Sequence, residues 1–138
     1  MPSKVFLYSD GGARGNPGPA AIGVLVCDAK GHTLQDHGET IGEATNNIAE
    51  YTAFLVGLEM AQKLGARQIE AFTDSELVAR QLSGQYRIKA PHIKTLYREV
   101  KEREKLFERV TFTHVPRTHE KIQYVDGLVN QALDEAGY

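Results

Sequence analysis

Four acids far apart in the chain could share one task. Asp10 closes the apolar run KVFLYSD, and Asp74 follows QIEAFT directly. Glu50 lies five residues past Thr45 in an apolar helical stretch, and Asp126 falls early in the last amphipathic stretch. If a fold brings them together, like charges repel and a cation is needed; an all-oxygen donor set suits hard Mg²⁺ or Mn²⁺. Each acid also has a plainer reading. Asp10 can open a turn before Gly11-Gly12, Glu50 and Asp74 can complement a helix N-terminus, and Asp126 can be a solvated surface charge. The order of elements decides between the two.

The pattern reads as βββαβααβα. Residues 4–10 form a strand apolar on both faces, residues 20–27 a second, and about 32–41 a third, more polar edge strand, with DAKG as the turn between the last two. Thr45 caps a helix that runs to about Leu64, with Gly65 as its stop. QIEAFT, residues 68–73, is a strand, and Thr73 with Glu76 reads as a capping box opening a short helix to about Leu82. Pro91 starts a helix to about Phe107, RVTFTHV (109–115) alternates as a strand, and a final helix begins near Ile122. A three-strand meander leaves strand three parallel to strand one, and right-handed crossovers return strands four and five in that direction. Strands one, three, four and five then finish at one end of the sheet, where sites form in parallel sheets. All four acids arrive at that end. No cluster of Lys or Arg in the same loops is expected to neutralise them.

The glycine-rich run YSDGGARGNPGP, residues 8–19, is not a nucleotide loop. No Lys stands between Lys4 and Lys30 to complete a P-loop, and Asn16-Pro17-Gly18-Pro19 disfavours the helix that a dinucleotide fingerprint requires. Another strand comes after it instead, so the glycines serve Asp10 or a ligand beside it.

Length and composition bound the rest. The 138 residues are read as one domain, residues 1–138, with net charge −2. The one cysteine, Cys27, lies in an apolar strand and is read as a small buried hydrophobe, which fits a reducing, cytoplasmic compartment. MPSKVFLYSD is too short in its apolar part for a signal peptide, and no run is long enough to cross a membrane. Global charge does not mark a nucleic-acid binder, but YRIKAPHIK (86–94) carries no acid and forms a small basic patch. The Lys/Arg-rich stretch after it alternates with glutamates, as an exposed helix does.

Three segments, YSDGGARGNPGPAAIG, TNNIAEYTAFLVGLEMA and FTDSELVARQLSG, resemble the signature segments of ribonuclease H type 1, and the likeness continues through HVPR and VDGLVNQALDEA. The shortness and the HVPR ending are similar to the archaeal-type branch. The resemblance implies an α/β ribonuclease H-like fold, a five-stranded mixed sheet with helices on both faces. It implies a metal-dependent endoribonuclease that hydrolyses the RNA strand of RNA–DNA hybrids and leaves a 5′-phosphate and a 3′-hydroxyl. Two cations, Mg²⁺ or Mn²⁺, would be held by Asp10 between them, Glu50 and Asp74 on one side, and Asp126 on the other, with two-metal sites spacing their ions about 3.5–4 Å apart. Gly11, Gly12 and Asn16 of a tight hairpin loop, with Asn46 and Asn47, would read RNA 2′-hydroxyls, and Thr45 a phosphate of the DNA strand.

Some positions depart from the family pattern. The run from Pro116-Arg117 to the last acid is long; Asp126 is the best fit, with Asp134 the alternative. His119 matches a catalytic loop histidine that assists product release, and Arg117 is the other candidate. Glu76 stands where classical bacterial members carry Gln, and there is no Trp-containing basic protrusion, so grip falls to YRIKAPHIK or elsewhere. Other readings on the same fold are a nuclease for double-stranded RNA or DNA junctions, and a catalytically silent hybrid-binding module. The expected protein is a monomer with no membrane attachment.

Overall fold

The computed structural model describes residues 3–138; Met1 and Pro2, with which the expected domain begins, lie outside the described residues. Its elements are β1 (Lys4–Ala13), β2 (Gly18–Asp28), β3 (Thr33–Ala44), α1 (Asn46–Lys63), β4 (Gln68–Thr73), α2 (Glu76–Leu82), α3 (Pro91–Glu104), β5 (Arg109–His114) and α4 (Glu120–Glu135). The strands form one sheet in the order β3-β2-β1-β4-β5. β1–β2 and β2–β3 are antiparallel, while β4 runs parallel to both β1 and β5. This is the five-stranded mixed sheet with helices on both faces that the resemblance implied.

Alternation along β1 sorts the two faces. Val5 and Leu7 point to the side where α1, α2 and α3 pack, joining Ile22, Val24, Val26, Phe54, Leu58, Val78, Leu82, Ile93 and Val100 in the main core. Phe6 and Tyr8 point the other way, toward Ile122 and Val125 of α4. Burying a Leu, Ile or Phe completely contributes roughly 1.5–3 kcal/mol, so this double-sided strand is the centre of stability. The Tyr51 hydroxyl donates to Gln81 Oε1 at 2.7 Å, tying α1 to α2 inside that core. β3 keeps only Ala44 fully buried, as its polar sequence and edge position require.

Several boundaries move. β1 runs past Asp10 through Gly11, Gly12 and Ala13 because Gly11 to Ala13 pair with Ile22 to Ala20 of β2. The glycines therefore lie in the strand rather than in a hairpin loop, and the turn itself is Arg14–Pro17. α3 stops at Glu104, and α4 begins at Glu120 with His119 as its cap. The expected Thr73–Glu76 capping box does not form. Ser75 is the N-cap of α2, its Oγ accepting from Val78 N–H at 3.2 Å, because Thr73 is still in β4 and its hydroxyl is engaged elsewhere.

Candidate active site

Two missing side chains set the spacing. A Cβ at Gly11 would lie 2.2 Å from the carbonyl carbon of Ala49 and 2.5 Å from Glu50 N, so only glycine lets α1 press this closely on β1. The same contact lets Gly11 N–H donate to Glu50 Oε1 at 2.9 Å. Across the ladder Asp10 pairs with Gly23, and a Cβ there would lie 2.3 Å from Val125 O. Gly23 therefore seats α4 beside Asp10, one residue before Asp126.

Asp74 arrives from the parallel strand β4, whose register with β1 brings both strand ends to the same edge. Carboxylate oxygens of Asp10, Glu50 and Asp74 lie within 4.8 Å of one another. Asp10 and Glu50 are buried, 8% and 7% exposed, and the Asp74 side chain is nearly so, at 12%. Thr73 holds the cluster from below: its hydroxyl donates to Glu50 Oε2 at 3.1 Å and accepts from Ser75 N–H at 3.1 Å.

Burial, with Glu50, Asp74 and Asp126 alongside, pushes the Asp10 carboxyl up to about 9. Burial also raises Glu50, against the opposing pull of the Gly11 N–H and the Thr73 hydroxyl. Buried carboxyls that cannot all ionise without a counter-charge fit a divalent cation, and three carboxylates within reach of one point offer the oxygen donors that it takes.

Asp126 lies outside that tight group. It is exposed on α4 and lines the same cleft of about 490 Å³, with Asp10, Gly11, Gly12, Arg14, Asn46, Asn47, Glu50, Asp74, Ser75, Arg117 and Asn130 on its walls. Asn130 Nδ2 donates to the Asp126 carbonyl at 3.1 Å and to its Oδ2 at 3.3 Å. The alternative acid, Asp134, is engaged in an ion pair with Arg14 at 2.8 Å.

Among the other expected residues, Thr45 caps α1, its Oγ1 accepting from Ile48 N–H at 3.2 Å. Asn16 Oδ1 accepts from Asn46 N–H at 3.0 Å, and Asn46 Oδ1 accepts from Ala13 N–H at 2.9 Å. These bonds tie the β1–β2 turn to the start of α1 and leave both amide groups as donors. His119 does not reach the cleft lining: its Nδ1 accepts from Lys121 N–H at 3.1 Å and its ring leans on Tyr8 with centroids 5.4 Å apart. Arg117 does reach it, its Nε donating to Asp74 Oδ2 at 3.2 Å. No cluster of Lys or Arg was expected in these loops; a single arginine of the β5–α4 loop, Arg117, meets Asp74, and Arg14 stands on the cleft wall. Nothing in the sequence assigned a part to Thr73, Gly23, Arg14 or Asn130 at this site. A hydroxyl next to a strand-end acid was the only signal for Thr73, and it pointed equally to a helix cap.

A family model described as reverse transcriptase-like matches residues 8–132. The chain is 42% identical over 134 residues to the bifunctional protein Rv2228c of Mycobacterium tuberculosis, covering 96% of this chain and 36% of that protein. The structure of the N-terminal RNase H domain of Rv2228c superposes with a TM-score of 0.92, at 41% identity and covering 97% of this chain and 96% of that one. The RNase H1 structure of Halobacterium salinarum gives 0.91, at 39% identity and covering 96% and 98%. LC11-RNase H1, solved in complex with an RNA/DNA hybrid, gives 0.90, at 42% identity and the same coverage. The chain spans 36% of the length of its mycobacterial curated relatives and 66% of the Halobacterium ribonuclease HI. With its acids brought to one sheet edge and solved ribonuclease H1 structures matching it from end to end, the chain belongs to the ribonuclease H type 1 family.

Proposed function

We propose that this protein is an endoribonuclease that hydrolyses the RNA strand of RNA–DNA hybrids with divalent cations, leaving 5′-phosphate and 3′-hydroxyl ends. The observation that carries the reading is the buried Asp10–Glu50–Asp74 group, its oxygens within 4.8 Å, at the floor of an open cleft. The relative solved with an RNA/DNA hybrid supports the substrate class.

Asp10, Glu50 and Asp74, with Asp126 from across the cleft, would hold two ions of Mg²⁺ or Mn²⁺. Bound there, the cations supply charge to the scissile phosphate and acidify a water at neutral pH. The protein's own residues then do the positioning. Thr73 and the Gly11 N–H fix both oxygens of Glu50, so that its carboxylate cannot swing away. The Thr45 hydroxyl, already accepting from Ile48, keeps its proton to donate to a phosphate of the DNA strand. The amide groups of Asn16 and Asn46, their oxygens held, present N–H donors to sugar hydroxyls beside the backbone of Gly11 and Gly12, and Asn47 stands beside them on the cleft wall. Arg117, paired with Asp74, supplies a positive charge at the mouth that must yield as substrate and cations enter; His119, turned to the helix cap, is the weaker candidate for such a part.

Residues 1–138 would act as one monomeric domain in the cytoplasm. Among the described residues no helix is long and apolar enough to cross a membrane. The test is one 5′-labelled RNA strand annealed to DNA or to RNA, with Mg²⁺, Mn²⁺ or EDTA. Cleavage in the hybrid that disappears in EDTA supports the reading, and cutting of both duplexes widens the substrate to double-stranded RNA. A folded protein that cuts neither overturns it in favour of a binding module.

A further inference from the structure

We propose that Arg14 grips a backbone phosphate of the nucleic-acid strand lying in the cleft, and that Asp134 and Asn130 exist to aim it. This rests on the hybrid-nuclease reading above.

Arg14 projects from the β1–β2 turn onto the wall of the cleft that holds Asp10, Glu50, Asp74 and Asp126. Its guanidinium is gripped from α4 and the residues just beyond it. Nη1 pairs with Asp134 Oδ1 at 2.8 Å and donates to the Tyr138 carbonyl, while Nη2 donates to Asn130 Oδ1 at 3.4 Å. A guanidinium carries five N–H donors in a rigid fork. Among the described residues these contacts leave the Nε–H and one Nη2–H unused, on a side chain still about a third exposed, at 36%.

The supports are regularly spaced. Asp126, Asn130 and Asp134 follow at four-residue intervals, so they line one face of α4. The first faces the acid cluster, the second bonds to both Asp126 and Arg14, and the third holds Arg14 by one Nη atom. A cation held this way has lost its rotamer freedom before any strand arrives, which makes its remaining donors more effective toward phosphate. Apart from Arg117, which is paired with Asp74, the cleft otherwise presents carboxylates to a polyanion. A fixed positive charge at its rim, on the same loop as Asn16, is where an incoming strand is attracted rather than repelled.

The experiment measures KM and kcat on a labelled RNA–DNA hybrid from about 50 to 200 mM salt, where each phosphate contact adds about 0.9 to the logarithmic slope. Arg14→Ala should raise KM about tenfold and lower that slope by about one. Arg14→Lys and Asp134→Asn keep the cation at position 14 but lose its aim, so KM should rise about threefold with the slope retained. Anisotropy of the same hybrid, with Mg²⁺ in an Asp74→Asn background, should show the same slope change without turnover. An unchanged slope in a folded Arg14→Ala protein overturns the proposal. So does an Asp134→Asn variant whose slope falls as far as that of Arg14→Ala, since the effect would then be the lost latch and not the charge. If the wild-type protein neither binds nor cuts the hybrid, the site reading itself fails, a result distinct from either of these.

Discussion

Replacing Asp10 by Asn should stabilise the metal-free protein, by an amount that grows with pH. An unfolded chain releases the Asp10 proton near 3.8, whereas the folded protein keeps it up to about 9 because burial and three acidic neighbours oppose ionisation. Between those values the native state binds more protons than the unfolded state, so stability falls as pH rises, at up to about 1.4 kcal/mol per unit. At pH 7 the gap from 3.8 is about three units, which gives a ceiling near 4 kcal/mol and an expected gain of about 2–4 kcal/mol for Asp10→Asn. At pH 5 the gap is about one unit, and the gain shrinks to about 1–2 kcal/mol. The amide keeps the shape of the carboxyl and can donate a hydrogen bond to Glu50. The assay is urea unfolding followed by circular dichroism at pH 5, 7 and 8.5 in EDTA, repeated in Mg²⁺. In Mg²⁺ the difference should narrow or reverse, because only the wild-type protein gains strong cation binding. A gain that is the same at every pH, or a loss at pH 8.5 in EDTA, refutes the account of the buried cluster.

Asp74→Asn should leave the unfolding curve within about 1 kcal/mol of wild type, since the amide keeps the shape of the carboxylate and the relief of repulsion from Asp10 and Glu50 offsets the lost ion pair with Arg117; gel assays should show cleavage reduced at least about a thousandfold, and turnover within tenfold of wild type would remove Asp74 from the ion-holding set. Gly11→Ala forces a methyl into the Ala49–Glu50 backbone and should cost about 3 kcal/mol or more, with weaker Mg²⁺ binding by calorimetry even though every acid remains. Metal affinity itself should climb with pH, up to tenfold per unit for each proton displaced, and level off above about pH 9; a flat profile from pH 6 to 9 would mean that Asp10 and Glu50 enter the reaction already ionised.

Legibility in the sequence differed from residue to residue, according to what fixes each one. Asp10, Glu50 and Asp74 could be brought together from the sequence because strand order and crossover hand alone carry strand ends to one edge. Strand and helix types were legible from periodicity, and β3 from its polarity. The reach of β1 through Ala13 was not, since it depends on pairing with β2 and not on any preference of Gly11 or Gly12. Thr73 looked like a helix cap because its partner, Glu50, lies on a different helix in another part of the chain. Arg14 was not seen as reaching the site, and Arg117 could be named only as an alternative to His119, for the same reason: a long side chain's target depends on where its loop folds back. Asp126 and Asp134 are the same residue type on one helix, and the sequence preferred Asp126 only for the segment that follows it; in the fold Asp126 lines the cleft with the other acids while Asp134 is paired with Arg14.

The two glycines under the site have a wider effect. Glu50 is stationed by contact of α1 with the backbone at Gly11, and α4 rests its own backbone against Gly23. The nearest approach at each is to main-chain atoms, Ala49 C at Gly11 and Val125 O at Gly23. The acids are thus referenced to main chain, the part of a protein that shifts least when a Leu or Val is exchanged. Core changes such as Leu7→Ala or Val24→Ala should lower the melting temperature while the carboxylates keep their spacing. Robustness of the fold and readiness of the site can then drift independently, so the interior of this sheet is open to alteration in ways that positions 11 and 23 are not.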